Sequence, residues 1–197
     1  MSKWLTLVLT GILLLTACSP LPRRDLDLCR TRWSDSVDST FLEKAIKDLD
    51  RFQANDCKHA VIEINSPGGE VVRGLEVIRQ MRETRKHMIL ETRGGAMAAS
   101  MATVILAAGT PGYRLIDKHS LVIIHAIKRN DVCLVYKSKS LTEEGRMDSQ
   151  LILTMASVLS ELTQKPLPVT MKWLVCGKGQ IGGGALALQL GLADRLQ

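Results

Sequence analysis

Apolar residues recur along this chain in two alternating rhythms. Short runs such as Ala60-Val61-Ile62-Glu63-Ile64, His87 to Thr92, Tyr113-Arg114-Leu115-Ile116 and Leu121 to Ala126 have the length and branched content of strands inside a sheet. Between them the spacing changes to three and four. Phe41, Leu42, Ala45, Ile46, Leu49 and Phe52 make one helical stripe, Val71, Val72, Leu75, Ile78 and Met81 a second, and Met147, Leu151, Met155, Val158 and Leu162 a third. Thr40-x-x-Glu43 has the form of a capping box, Asn55-Asp56 closes that first helix, and Gln164-Lys165-Pro166 stops the long third one. Ala98 to Ala108 predicts a further helix, Gly109 to Pro111 a turn, and Gly184 to Leu190 a closing helix before Gly191-Leu192-Ala193-Asp194. Strand and helix alternating at this pitch predict an α/β domain with a parallel sheet. After His125 the rhythm breaks, and Lys128 to Ser140 is polar.

The first residues follow a different logic. Lys3, the mostly apolar stretch Leu5 to Leu15 and the ending Leu15-Thr16-Ala17-Cys18 have the layout of a signal peptide, too short for a comfortable membrane span. That ending resembles the bacterial lipobox, which would make Cys18 the lipid-bearing first residue of the mature chain. Ser19 after it, rather than Asp, resembles outer-membrane sorting of lipoproteins. Residues 1–17 are then a signal peptide, 18–27 a lipidated tether and 28–197 the folded domain, exported to the periplasmic side of a membrane.

Composition narrows the partners. The mature piece of about 180 residues suffices for one domain with its own core. Removing the leader takes away Lys3 and no acid, which lowers the formal charge of +6 by one. A mild basic excess suits an anionic membrane surface. No Lys/Arg run with interleaved aromatics argues for nucleic acid. Cys29, Cys57, Cys133 and Cys176 remain after Cys18, an even number consistent with two disulfides in an exported chain, with three pairings open. None forms a CxxC pair, so no metal and no cofactor are expected.

Three segments carry candidate chemistry. Ser100 follows Gly94-Gly95-Ala96-Met97-Ala98-Ala99, small residues that permit a tight turn before an apolar helix. His125 closes Leu121-Val122-Ile123-Ile124. Ile62-Glu63-Ile64-Asn65-Ser66-Pro67-Gly68-Gly69 runs a strand into a Gly-Gly turn, a setting in which backbone N–H groups can face an oxyanion. Singly, a serine opening a helix is often a cap and a histidine at a strand end a structural hydrogen-bonder. Together they supply a hydroxyl nucleophile, a base and an anion site.

Ile64-Asn65-Ser66-Pro67-Gly68-Gly69, Ala98-Ala99-Ser100-Met101-Ala102, Val122-Ile123-Ile124-His125 and Gly191-Leu192-Ala193-Asp194, in that order, resemble the proteolytic subunit of the Clp protease, ClpP. The spacing from Ser100 to His125 fits that family, and the resemblance covers roughly Ala60 to Leu196. It implies a ClpP/crotonase-like α/β fold, a βα-repeat spiral with a strand-helix handle. It also implies Ser100 as nucleophile, His125 as general base, the N–H groups of Gly68 and Met101 as oxyanion hole, and Gly69 as a substrate-binding position. A homo-oligomer assembled through the Met147-to-Leu162 helix would follow as well.

One departure matters. Where the family carries the third, acidic member of its triad, this chain has Cys176-Gly177-Lys178-Gly179-Gln180, without a carboxylate. Ala96 also stands where the family has a glycine. The substitutes open to the chain are Asp131 or Asp117, Lys178 as an alternative base, or a backbone carbonyl that orients the ring. A Ser-His dyad is the first expectation and Lys178 the second. The family fold would bring the segment after His125 near this acid-free stretch, which implies a Cys133–Cys176 disulfide and leaves Cys29 with Cys57. The resulting expectation is a membrane-tethered serine peptidase that cleaves short or unfolded peptides without ATP or an ATPase partner. The alternative is a degenerate peptide-binding or assembly module.

Overall fold

A computed structural model describes residues 28–139 and 142–197. The expected signal peptide, the Cys18 lipid site and the tether lie outside the described residues. The elements are β1 (Arg30–Trp33), α1 (Ser39–Ala54), β2 (His59–Ser66), α2 (Val71–Thr84), β3 (Ile89–Ala99), α3 (Met101–Ala107), β4 (Arg114–Ile116) and β5 (Leu121–Ile124). A small hairpin, β6 (Lys128–Arg129) and β7 (Val132–Cys133), follows. Then come α4 (Glu143–Thr163), α5 (Leu167–Trp173), β8 (Gln180–Gly182), α6 (Gly184–Leu190) and β9 (Arg195–Leu196).

Seven strands form one sheet, ordered β1-β2-β3-β4-β9, with β5 branching from β3 and β8 from β5. Every pairing in it is parallel except β5 with β8. The fork in β3 has a plain cause. Thr92–Gly94 pair with β4, while Met97–Ala99 pair with β5, and β2 is irregular opposite the change. Asn65 spans that irregularity, its Oδ1 accepting the Met97 N–H at 2.9 Å. This extended pairing explains why β3 runs to Ala99 and the following helix starts at Met101, later than the apolar run from Ala98 predicts.

The helices bury most of the stripes that the spacing marks, but Met147 at the start of α4 is exposed, and α1 and α2 bring further corrections. The first helix is capped by Asp38, whose carboxylate accepts from the Phe41 N–H at 2.9 Å. Thr40 and Glu43 therefore lie inside the helix and form no capping box. In α2 the buried face is Gly74, Val77, Ile78 and Met81. Val72 points to the opposite side and is 64% exposed. Phe52, Ile62, Ile64, Ile78, Leu90 and Ile105 are among the fully buried side chains between sheet and helices. Among the described residues no helix is long and apolar enough to cross a membrane.

Buried polar groups fasten the edges. Asp48 accepts from Thr31 Oγ1 (2.6 Å), Trp33 Nε1 (3.0 Å), Lys44 Nζ (2.7 Å) and Arg51 Nη2 (3.0 Å), joining α1 to β1. Burial alone would push its pKa up, but these donors outweigh burial and hold it at about 2. Asp194 of Gly191-Leu192-Ala193-Asp194 has a structural task. It pairs bidentately with Arg114 and accepts from the Gly112 and Arg114 N–H groups, while Arg114 reaches the Leu162 carbonyl at 2.8 Å. The motif thus ties β9, β4 and the end of α4 together.

Candidate active site

Strand register brings Ser100 and His125 to the same end of the sheet. β3 and β5 run parallel with Ala99 opposite Ile123, so their carboxyl ends lie side by side. Ser100 is the first residue after β3 and His125 the first after β5. The carboxyl ends of parallel strands are where α/β sheets place ligands. Both residues line one cavity of about 210 Å³.

The turn at Ser100 is strained. Its φ of 53° and ψ of −125° lie where an L residue pays a steric cost, as in the strand-to-helix elbow that exposes a nucleophilic serine. Pairing of the Ser100 N–H with the Ile123 carbonyl at 2.7 Å holds it there. Thr103 Oγ1, within 2.6 Å of the Ala98 carbonyl and 3.0 Å of that of Ile123, closes the same turn. The Ser100 hydroxyl makes no capping bond to α3 and has no hydrogen-bond partner among the described residues. The helix-cap reading of this serine therefore fails.

His125 is half-buried, and its Nδ1 stands 2.6 Å from the carbonyl oxygen of Ala126. Among the described residues no carboxylate lines the cavity. Asp131 sits in the tight turn of the β6–β7 hairpin, where Asn130 and Asp131 have φ of 47° and 62°. Asp117 accepts from the His119 N–H at 2.7 Å. Lys178 is exposed and does not line the cavity. In the acid-free stretch the residue packed on the histidine is Gly179. A Cβ there would be 3.1 Å from His125 Cβ and 2.8 Å from the Ile124 carbonyl.

The two glycines of the turn have different surroundings. Gly68 is buried beneath Ser100, and a Cβ on it would lie 2.7 Å from Ser100 Cβ and 2.8 Å from the Met101 nitrogen. Its own N–H is engaged, donating to Ser66 Oγ at 3.1 Å, while that hydroxyl donates to the Asp35 carbonyl at 2.6 Å. Gly69 lines the cavity instead, and its N–H has no partner among the described residues. Val37 pins the turn from behind, with its N–H on the Gly68 carbonyl at 2.9 Å and its carbonyl on the Glu70 N–H at 2.7 Å. Met101 supplies one of the first-turn N–H groups of α3 that have no partner within the helix. Gly69 and Met101 both line the cavity, and among the described residues the Gly69 N–H has no partner.

Beyond the polar end the wall is apolar, made by Val71, Val104, Met155, Leu159 and Leu174. Lys128, which no motif marks, also lines the cavity. The disulfides pair Cys29 with Cys57 (Cα–Cα 5.8 Å) and Cys133 with Cys176 (Cα–Cα 6.1 Å), as the resemblance implies. The second one joins the β6–β7 hairpin to the stretch that ends on Gly179. Among the described residues no group of His, Cys, Asp and Glu is placed to hold a metal ion.

Residues 27–165 match the family model described as Clp protease. The chain is 31% identical over 121 residues to an ATP-dependent Clp protease proteolytic subunit 3 from Rhodococcus jostii, over 59% of this chain and 59% of that protein. Over 62 residues it is 42% identical to an ATP-dependent Clp protease proteolytic subunit 2 from Prochlorococcus marinus, covering 32% of this chain and 30% of that protein. The matches thus span less than two thirds of these relatives' length. The structure resembles the ClpP protease catalytic domain from Plasmodium falciparum, with a TM-score of 0.71 at 20% identity over 87% of this chain and 86% of that one. That likeness shows a shared fold.

Proposed function

This chain belongs to the Clp protease family, and from that premise we propose an exported serine peptidase. It is tethered to the periplasmic side of a membrane through Cys18 and cleaves short or already unfolded peptides. The observation that carries the reading is the strained, uncapped Ser100 opening on a cavity that His125 shares. His125 Nε2 takes the proton from Ser100 Oγ as that oxygen attacks the peptide carbonyl. The N–H groups of Gly69, in place of Gly68, and of Met101 receive the tetrahedral oxyanion, each donor being worth about 10²–10³ in rate. The proton then passes to the leaving amine, and water releases the acyl group by the same route. The apolar wall accepts a hydrophobic side chain of the substrate.

Two disulfides suit an oxidising compartment, and the lipobox-like ending at Cys18 suits export with lipidation; Ser19 favours the outer membrane. Outside the cytoplasm no ATP supply drives an unfoldase, so cleavage is ATP-independent and the chain needs no ATPase partner. A homo-oligomer built through α4, whose Met147 is 57% exposed, belongs to the same proposal.

The purified mature chain, given a fluorophosphonate and fluorogenic peptides without ATP, tests this reading. Ser100 should be labelled and peptides cleaved, with both activities lost in Ser100→Ala and His125→Ala and kept in Lys178→Ala. A chain never labelled at Ser100 is not a serine peptidase. Peptide binding without turnover, unchanged by His125→Ala, would instead identify a degenerate binding module, the second reading that the carboxylate-free cavity favours.

A further inference from the structure

A histidine that acts as general base must present one bare ring nitrogen to the nucleophile, while another group keeps the proton on the second nitrogen. In serine peptidases a carboxylate usually does this. Here the only partner of the ring among the described residues is the main chain, His125 Nδ1 standing 2.6 Å from the Ala126 carbonyl oxygen. A carbonyl has no proton to give, so Nδ1 must be the donor. The neutral ring then carries its lone pair on Nε2, the nitrogen that a general base uses.

The acceptor is held firmly. Ala126 and Ile127 are buried, and the Ile127 carbonyl accepts the Leu134 N–H at 2.8 Å. Next to Leu134, the Cys133–Cys176 bridge fastens this hairpin to the stretch carrying Gly179. Gly179 has no positive φ, but a Cβ there would lie 2.8 Å from the Ile124 carbonyl and 3.1 Å from His125 Cβ, so any side chain at this position crowds the strand that carries the histidine. A side chain at position 179 would begin against the histidine.

We propose that the Ala126 carbonyl is the positioning group that replaces the triad acid, and that position 179 is where a carboxylate would complete the triad. This rests on the reading of Ser100 and His125 as the reacting pair. The substitution preserves the tautomer but sacrifices charge. A neutral carbonyl orients the ring, yet it stabilises the imidazolium formed after proton transfer far less than a carboxylate does.

Two measurements test it. In the wild-type chain, ¹⁵N NMR of the neutral His125 ring should find the proton on Nδ1; a proton on Nε2, or an even mixture, overturns the proposal. The rate of Ser100 labelling by a fluorophosphonate is then followed against pH in the wild type, Gly179→Ala and Gly179→Asp. Relative to Gly179→Ala, Gly179→Asp should label about tenfold faster or more near neutrality, with its pH midpoint displaced upward, because the carboxylate favours the charged ring. Gly179→Ala adds the Cβ and its crowding of the Ile124 carbonyl without the carboxylate, and is therefore the reference for both effects. A Gly179→Asp rate and midpoint equal to those of Gly179→Ala overturn the proposal, and if Gly179→Asp does not fold the wild-type NMR result decides alone. Loss of the catalytic reading has a different signature: Ser100 is unlabelled in every variant, or labelling ignores His125→Ala.

Discussion

Gly68 and Gly112 share a positive φ and differ in what surrounds them, which makes them a useful pair. Their φ angles are 88° and 85°. At Gly112 an added Cβ meets nothing within 4 Å, whereas at Gly68 it would lie 2.5 Å from the Ala99 carbonyl, 2.7 Å from Ser100 Cβ and 2.8 Å from the Met101 nitrogen. Gly112→Ala should therefore carry only the cost of a left-handed alanine, about 1–2 kcal/mol, partly offset by about 0.4–1 kcal/mol from a less flexible unfolded chain. Gly68→Ala carries the same conformational cost plus an overpacking penalty of about 1–3 kcal/mol, because the atoms it meets are main chain or a Cβ and cannot swing aside. Relief can come only by moving Ser100 and Met101. A displacement near 1 Å there should slow Ser100 labelling by about 10². Urea unfolding midpoints and fluorophosphonate labelling rates, measured on both variants, check this. Equal stability losses for the two variants, or wild-type labelling in Gly68→Ala, would refute the idea that Gly68 exists to let the turn lie against Ser100.

The two disulfides should separate in the same assays. Their sequence separations of 43 and 28 residues predict stabilisations of about 4 kcal/mol for Cys133–Cys176 and about 3.6 kcal/mol for Cys29–Cys57 from loop-closure entropy. Replacing each pair by serines should thus cost similar stability, but only loss of Cys133–Cys176 should also lower the labelling rate, since it alone braces the segments flanking His125. Asp48, held at a pKa of about 2 against an ordinary 3.8, stabilises the fold fully above the ordinary value, and that contribution fades as pH falls from about 4 towards about 2. Asp48→Asn should flatten that acid limb of the urea-midpoint profile, and parallel limbs in the two proteins would exclude Asp48 as its source.

Elements with a strong apolar period were legible and elements made by pairing were not. α1, α2 and α4 each bury an apolar stripe, and β2 is a branched run buried on alternate positions. β1 reads Arg-Thr-Arg-Trp with only Trp33 buried; it exists because it pairs with β2 and because Cys29, Asp48 and Glu63 hold it there. β8 is a three-residue strand fixed by its antiparallel register with β5, and nothing local announces it. The start of α3 was misplaced for a related reason. Ala98 and Ala99 are good helix formers, but pairing of Met97–Ala99 with β5 overrides that propensity and pushes the turn onto Ser100.

The same distinction governs the site. Side chains that must be Ser or His to do their work announce themselves, and Ser100 and His125 do share a cavity. Backbone groups carry no such signature, because any residue type supplies an N–H or a carbonyl. That the Gly68 N–H is bonded to Ser66 Oγ, and that His125 Nδ1 lies against the Ala126 carbonyl, follow from main-chain placement that no residue type announces. The missing carboxylate was legible as an absence across Cys176 to Gln180, and the packing narrows it to Gly179, the residue whose Cβ would touch the histidine. A glycine there keeps the chain close to His125 while leaving the ring free to turn its Nδ1 to the main chain. The device that replaces the acid is therefore invisible in residue identity and explicit in geometry, which is why the protonation state of His125 discriminates better than any search for another acidic side chain.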